Sequence, residues 1–122
     1  MSTLITIDLD ALTANYHDCR DNVAPATCGA VVKADAYGLG ITRIATALYQ
    51  AGCHHFFTAT HREGIALRGL LGEADVFVFE GVTAESAAAF REHDRAYTAK
   101  DHLLLRKVLD WSIEVARRFL ER

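Results

Sequence analysis

The stretch CGAVVKADAYGLG, residues 28–40, passes from an apolar run into a lysine, then to a tyrosine followed by two glycines. CGAVVKA, residues 28–34, is a short continuous apolar run, the pattern of a parallel strand buried on both faces. Gly38 and Gly40 allow the backbone to turn sharply, and Ile41, Ile44, Ala45 and Leu48 then recur at helical spacing until Gly52. The stretch therefore reads as one strand, one turn and the start of one helix.

The same alternation extends outward in both directions. Upstream, Leu12, Tyr16, Cys19 and Val23 repeat at helical spacing behind Asp8 and Asp10, either of which can cap a helix, and Pro25 forbids continuation. Downstream come an aromatic and β-branched strand at 54–60, a helix over 63–71, a strand at 75–79 and a helix over 84–92 capped by Thr83. A weaker strand at 95–99 and a long amphipathic helix opening at Asp101 complete the chain. Four strands alternating with helices predict parallel βα units joined by right-handed crossovers, in a doubly wound sheet or part of a barrel. A complete (β/α)8 barrel needs about 250 residues. The 122 residues here match about half of one, and this partial TIM-type barrel is the fold class we expect.

Composition bounds the chemistry. With 51% hydrophobic and 24% charged residues, the chain is able to bury the core of one small domain. The net charge of −3 and the scattering of the 13 Lys and Arg among 16 Asp and Glu argue against nucleic acid as a partner. MSTLITIDLD carries acids where a signal peptide carries positive charge, and no apolar run approaches the roughly 18 residues of a membrane span. A cytoplasmic protein is expected. Cys19, Cys28 and Cys53 are odd in number without CxxC spacing, so free thiols are expected. Cys53, His54 and His55 are consecutive and diverge, so with His61 they make a poor tetrahedral zinc site, and no metal is expected.

Lys33 stands at the carboxyl end of the first strand, where parallel βα folds collect their chemistry. Val31, Val32, Ala34 and Ala36 surround it, and an amine beside apolar surface is the kind that attacks a carbonyl to form a Schiff base. Tyr37 follows four residues later, so its hydroxyl, with free amides at the start of the next helix, could hold a phosphate. A lysine leaving a core with its ammonium in water is the simpler reading of the same position. Glu63 and Arg68 in EGIALR read as an ordinary helix face. Phe56, Phe57, Phe77 and Phe79 read as sheet packing, because no positive charge is interleaved with them.

KADAYG behind an apolar strand closely resembles the cofactor-lysine segment of the alanine racemase family. The resemblance extends to ITIDLDALTANY at 5–16, ATALYQAG, EGIALR at 63–68 and VFVFEG, covering about residues 4–93. It implies pyridoxal phosphate as cofactor, a TIM-type barrel followed by a β-rich domain, and interconversion of L- and D-alanine for bacterial cell walls. By the same resemblance Lys33 matches the catalytic, cofactor-bearing lysine and Tyr37 the tyrosine on the cofactor phosphate. The family's second base, a tyrosine of the β-rich domain donated across a dimer interface, has no counterpart, and the pattern fades after His93. Residues 1–122 are therefore expected to be a truncated N-terminal barrel portion, lacking the β-rich domain and not racemase-competent alone. Two other expectations stand beside it. A single-domain barrel that carries the cofactor would bind it without racemising. A non-enzymatic half-barrel would self-associate through its sheet edges and the last helix, whose stripe runs through Leu104, Val108, Trp111, Val115 and Phe119. A homo-oligomer is expected; a last helix that caps its own half-barrel would instead leave a monomer.

Overall fold

The computed structural model describes residues 2–80 together with Ala84, Ala87 and Ala88, the last three helical. The chain divides into two units, residues 1–80 and 81–122, and the account below concerns the first. The Thr83 cap, the strand expected at 95–99, the helix from Asp101 and most of the helix over 84–92 lie outside the described residues.

Helix α1 spans Leu9–Val23, and its N-cap is Asp8, whose carboxylate accepts from the Ala11 amide at 3.0 Å. Strand β1 is Ala30–Val31, followed at Lys33–Tyr37 by a short helical turn, α2. Helix α3 is Ile41–Gln50, strand β2 His55–Thr58, helix α4 His61–Leu70 and strand β3 Asp75–Val78. All three strands are parallel and ordered β1-β2-β3, with Ala30 opposite Phe56 and Phe56 opposite Val76. Each strand is thus followed in space by the next, the arrangement of consecutive βα units in a barrel wall.

The two faces of this sheet differ. Val32, Phe56, Val76, Thr58 and Val78 lie on one face, all at or below 4% exposure. On the other, Phe57 stacks on Phe77 at 4.8 Å and on Phe79 at 5.6 Å, while Val31 and Phe79 remain 42% and 45% exposed. Phe77, on the same face as these two, is buried at 2% within the aromatic stack, so among the described residues this face is covered in part and the other throughout. Gly29 lets β1 come close to β2, because a Cβ there would stand 2.7 Å from the Phe57 ring.

The expected strand over 28–34 is corrected to Ala30–Val31. Its apolar letters are there, but the register with β2 ends at Val31↔Phe57, after which the Val32 amide makes one more bond to the Phe57 carbonyl at 2.9 Å. The chain then winds left-handed. Ala34, Asp35, Ala36 and Tyr37 have φ between 51° and 57°, and Gly38 follows at 82°. Left-handed helical backbone costs about 1–2 kcal/mol for each residue that carries a Cβ, so four in succession need compensation. Hydrogen bonds supply part of it: Ala36 to Val32, Gly38 to Ala34 and Gly40 to Asp35, at 2.9–3.0 Å. Asp35 adds a local bond, its Oδ1 accepting from the Ile41 amide at 2.9 Å, and Ala36 packs inward at 3% exposure.

The candidate active site

Lys33 opens the left-handed turn at the carboxyl end of β1, half-buried, and its Nζ lies 6.0 Å from the centroid of the Tyr37 ring. A right-handed helix would also bring residues four apart together; here the left-handed turn does so. Tyr37 is 61% exposed. The two residues singled out by spacing are thus neighbours in space at the face of the sheet where βα loops gather.

The amides expected to be free at the start of α3 are partly taken. The Ile41 amide donates to Asp35 Oδ1 at 2.9 Å, so a carboxylate from the turn occupies that helix end. An acidic group there disfavours a second anion, and the phosphate expectation reduces to the Tyr37 hydroxyl.

Glu63 is the residue that sequence reading underrated. Its Oε1 accepts from the Ala34 amide at 2.8 Å; its Oε2 accepts from the Ala59 amide at 2.7 Å and the Thr60 amide at 3.1 Å. In return, the Glu63 amide donates to Thr60 Oγ1 at 3.2 Å, closing a capping box at the start of α4. Burial would raise the Glu63 carboxyl, but the Ala34, Thr60 and Ala59 amides, with the Lys33 charge, outweigh it and hold the group below the ordinary glutamate value. The signal was present in the sequence as Thr60-x-x-Glu63, the capping-box spacing. That pattern also explains why α4 starts at His61, two residues before its expected start.

A second carboxylate acts one loop further on. The His61 amide donates to Glu80 Oε2 at 3.1 Å, and the His61 ring Nδ1 lies 3.0 Å from the same oxygen. Those contacts hold the exposed Glu80 carboxyl below its ordinary value. Arg68, also read as plain helix face, donates to the carbonyls of Gly72 and Ala74 and so pins the loop before β3. Cys53 closes the turn after α3, with burial pushing its thiol up, while His54 is exposed and His55 enters β2.

The family model for the alanine racemase N-terminal domain matches residues 7–117. The chain belongs to this family. Among relatives of this alanine racemase family member, the alanine racemase of Methylobacterium nodulans is 46% identical over 87 residues, 71% of this chain and 24% of the relative. A catabolic alanine racemase of Rhizobium johnstonii is 46% identical over 89 residues, again 24% of its length. The alanine racemase structure from Bartonella henselae, with covalently bound pyridoxal phosphate, superposes with a TM-score of 0.67 at 41% identity, over 71% of this chain and 26% of that one. The biosynthetic alanine racemase of Pseudomonas aeruginosa superposes at 0.65 with 31% identity, over 70% and 24%. The chain thus spans about a quarter of the length of the alanine racemases it matches. The partial TIM-type barrel expected from the βα alternation agrees with these neighbours. Among the described residues, no helix is long and apolar enough to cross a membrane.

Proposed function

We propose that residues 1–122 form the cofactor-lysine part of a pyridoxal-phosphate-dependent alanine racemase, with Lys33 as the catalytic, cofactor-bearing lysine and Tyr37 on the cofactor phosphate. The observation that carries this reading is half-buried Lys33 at the mouth of β1, its Nζ 6.0 Å from the Tyr37 ring centroid and its turn tied down by Glu63. The donor set fits the group. A primary amine suits the aldehyde end, and an exposed phenol near it offers a hydrogen bond to phosphate.

When bound, pyridoxal phosphate accepts into its ring the electrons left behind as the Cα proton of the amino acid departs. Lys33 Nζ removes or returns that proton on one face of Cα, as a general base and acid. Tyr37 would hold the cofactor phosphate through its hydroxyl, beside the amine. The opposite face needs its own base. The family resemblance gives that role to a tyrosine of the β-rich domain. Alanine as substrate, and supply of D-alanine to the cell wall, are part of the same proposal. A homo-oligomer is part of the same proposal, resting on the family resemblance. Sedimentation that shows a monomer at every concentration would overturn it.

Labelling tests the lysine. The chain has three lysines, Lys33, Lys100 and Lys107. After incubation with pyridoxal phosphate and reduction by borohydride, peptide mapping is expected to find the pyridoxyl group on Lys33. Label on Lys100 and Lys107 with little on Lys33 overturns the assignment.

A further inference from the structure

We propose that Glu63 is the positioning residue for the Lys33 amine: its carboxylate fastens the amide next to Lys33 to the loop after β2 and so fixes where the turn presents that amine. This rests on the reading of Lys33 as the cofactor-bearing lysine.

An ordinary capping box uses one carboxylate oxygen, which returns to the N-cap amide. Glu63 does this with Oε2, which takes the Thr60 and Ala59 amides. Its other oxygen crosses to Ala34, 29 residues earlier in the chain. Helix capping therefore leaves Oε1 unexplained, and a tie between two βα loops explains it. The tie falls where it matters. Ala34 is the first residue of the left-handed run, and Lys33 is joined to it directly. A turn held in a disfavoured conformation persists only where its surroundings over-determine it, and the Glu63 bond adds a constraint from outside the turn. The Lys33 charge in turn helps to keep the Glu63 carboxylate ionised.

The two-sided demand makes the residue type diagnostic. All three amides are donors, so both oxygens must accept. Glutamine offers one oxygen and one NH2 group; whichever way it turns, the NH2 meets either Ala34 or the Ala59–Thr60 pair donor to donor. Glu63→Gln thus breaks one side of the tie at nearly constant shape. Thr60→Val removes the hydroxyl half of the capping box and leaves every Glu63 oxygen contact in place, so it serves as the control for a purely structural role.

The experiment is the borohydride labelling of the full chain with pyridoxal phosphate, read as the ratio of label on Lys33 to label on Lys100 plus Lys107. Loss of a hydrogen bond to a charged group is expected to lower that ratio about tenfold in Glu63→Gln, while Thr60→Val leaves it within about twofold. Hydrogen exchange of the peptide containing residues 33–40, measured without cofactor, is expected to quicken in Glu63→Gln and to stay unchanged in Thr60→Val. Should Glu63→Gln not fold, Glu63→Asp is read the same way, because it keeps the charge but falls one methylene short of Ala34. Selective labelling that survives the Glu63 substitution overturns the positioning role, as does an equal loss in Thr60→Val. A parent chain that labels its three lysines evenly overturns the Lys33 reading itself, and this one with it.

Discussion

The loop after β1 and the loop after β2 hold equivalent places at the carboxyl end of the sheet, yet they are built in opposite ways. The second passes from Thr58 to His61 through Ala59 and Thr60, and the Thr60–Glu63 capping box satisfies its amides on the spot. The first runs from Val32 to Gly40, winds left-handed through four residues that carry a Cβ, and leaves Tyr37 exposed. Relaxed geometry in one loop and disfavoured geometry in the other meet at a single side chain, Glu63, which takes amides from both. The contrast shows how a fold supports a strained turn: a constraint is drawn from a neighbouring loop of relaxed geometry.

The largest expected break in this comparison comes from one substitution made in each loop. Ala36 is 3% exposed at φ 54°, so Ala36→Val places a β-branched side chain in left-handed backbone within a closed space. Strain and overpacking together predict a loss of about 3 kcal/mol. Ala59→Val, in the loop of ordinary geometry, is expected to cost about 0.5 kcal/mol. Urea denaturation of the two variants measures both values. Similar losses would mean that the left-handed turn carries no special strain.

The hydroxyls of the two loops offer a second contrast. Tyr37→Phe is expected to weaken pyridoxal phosphate binding by about 1.5–3 kcal/mol, the range for a hydrogen bond to a charged partner, with little effect on stability. Thr60→Val is expected to do the reverse: about 1 kcal/mol of stability from the lost cap, with cofactor affinity unchanged. Cofactor titration followed over the absorbance of the bound group, set beside thermal denaturation, separates the two effects. Equal cofactor affinity in Tyr37→Phe and the parent would remove Tyr37 from the phosphate.

These contrasts also mark what could be read from sequence. The βα alternation and the parallel sheet follow from periodicity, because Phe56, Val76, Ile44 and Leu48 each declare a buried face. The tight turns are equally readable, since Gly38, Gly40 and Gly52 all take positive φ. The left-handed turn was hidden. Alanine is the strongest helix former and avoids left-handed backbone, so KADAY points locally toward an ordinary helix or a strand end, and tertiary ties decide otherwise. Lys33 and Tyr37 were legible as residue types in a suggestive place. Glu63 was half-legible: its spacing from Thr60 marks a cap, whereas its reach to Ala34 is a tertiary contact that one sequence cannot show.

Acid should loosen the tie between the loops. The folded Glu63 carboxyl lies below 4.5, its ordinary value, so above that value the folded chain keeps all the stability that the lowered value represents. As pH falls below 4.5 toward the folded value, the unfolded chain binds the proton more readily than the folded one, and this contribution is lost. Protection of the residue 33–40 amides, taken relative to their intrinsic exchange rates at each pH, is therefore expected to fall below pH 4.5 in the parent, and much less in Glu63→Gln, which has no carboxylate at that position to protonate. Glu80 is lowered as well and loosens over the same side of its ordinary value, so a global melt would mix the two; local exchange near Ala34 keeps them apart.

The smallest effect has the opposite sign. Ala34 is exposed at φ 51°, and glycine adopts that backbone without the clash of a Cβ. Relief of about 1–2 kcal/mol of left-handed strain is set against about 0.5–1 kcal/mol of added chain entropy in the unfolded state, so Ala34→Gly is expected to stabilise the chain by roughly 0.5 kcal/mol. The same change in the second loop, Ala59→Gly, relieves no such strain and is expected to destabilise by a similar amount. Function should follow the other direction. A glycine next to Lys33 widens the backbone conformations open to the amine even while the fold gains stability, so the share of pyridoxyl label on Lys33 is expected to fall in Ala34→Gly. A variant that is both more stable and more selective would mean that the strain at Ala34 serves no positioning purpose, and that Glu63 merely accompanies a turn held by its own hydrogen bonds.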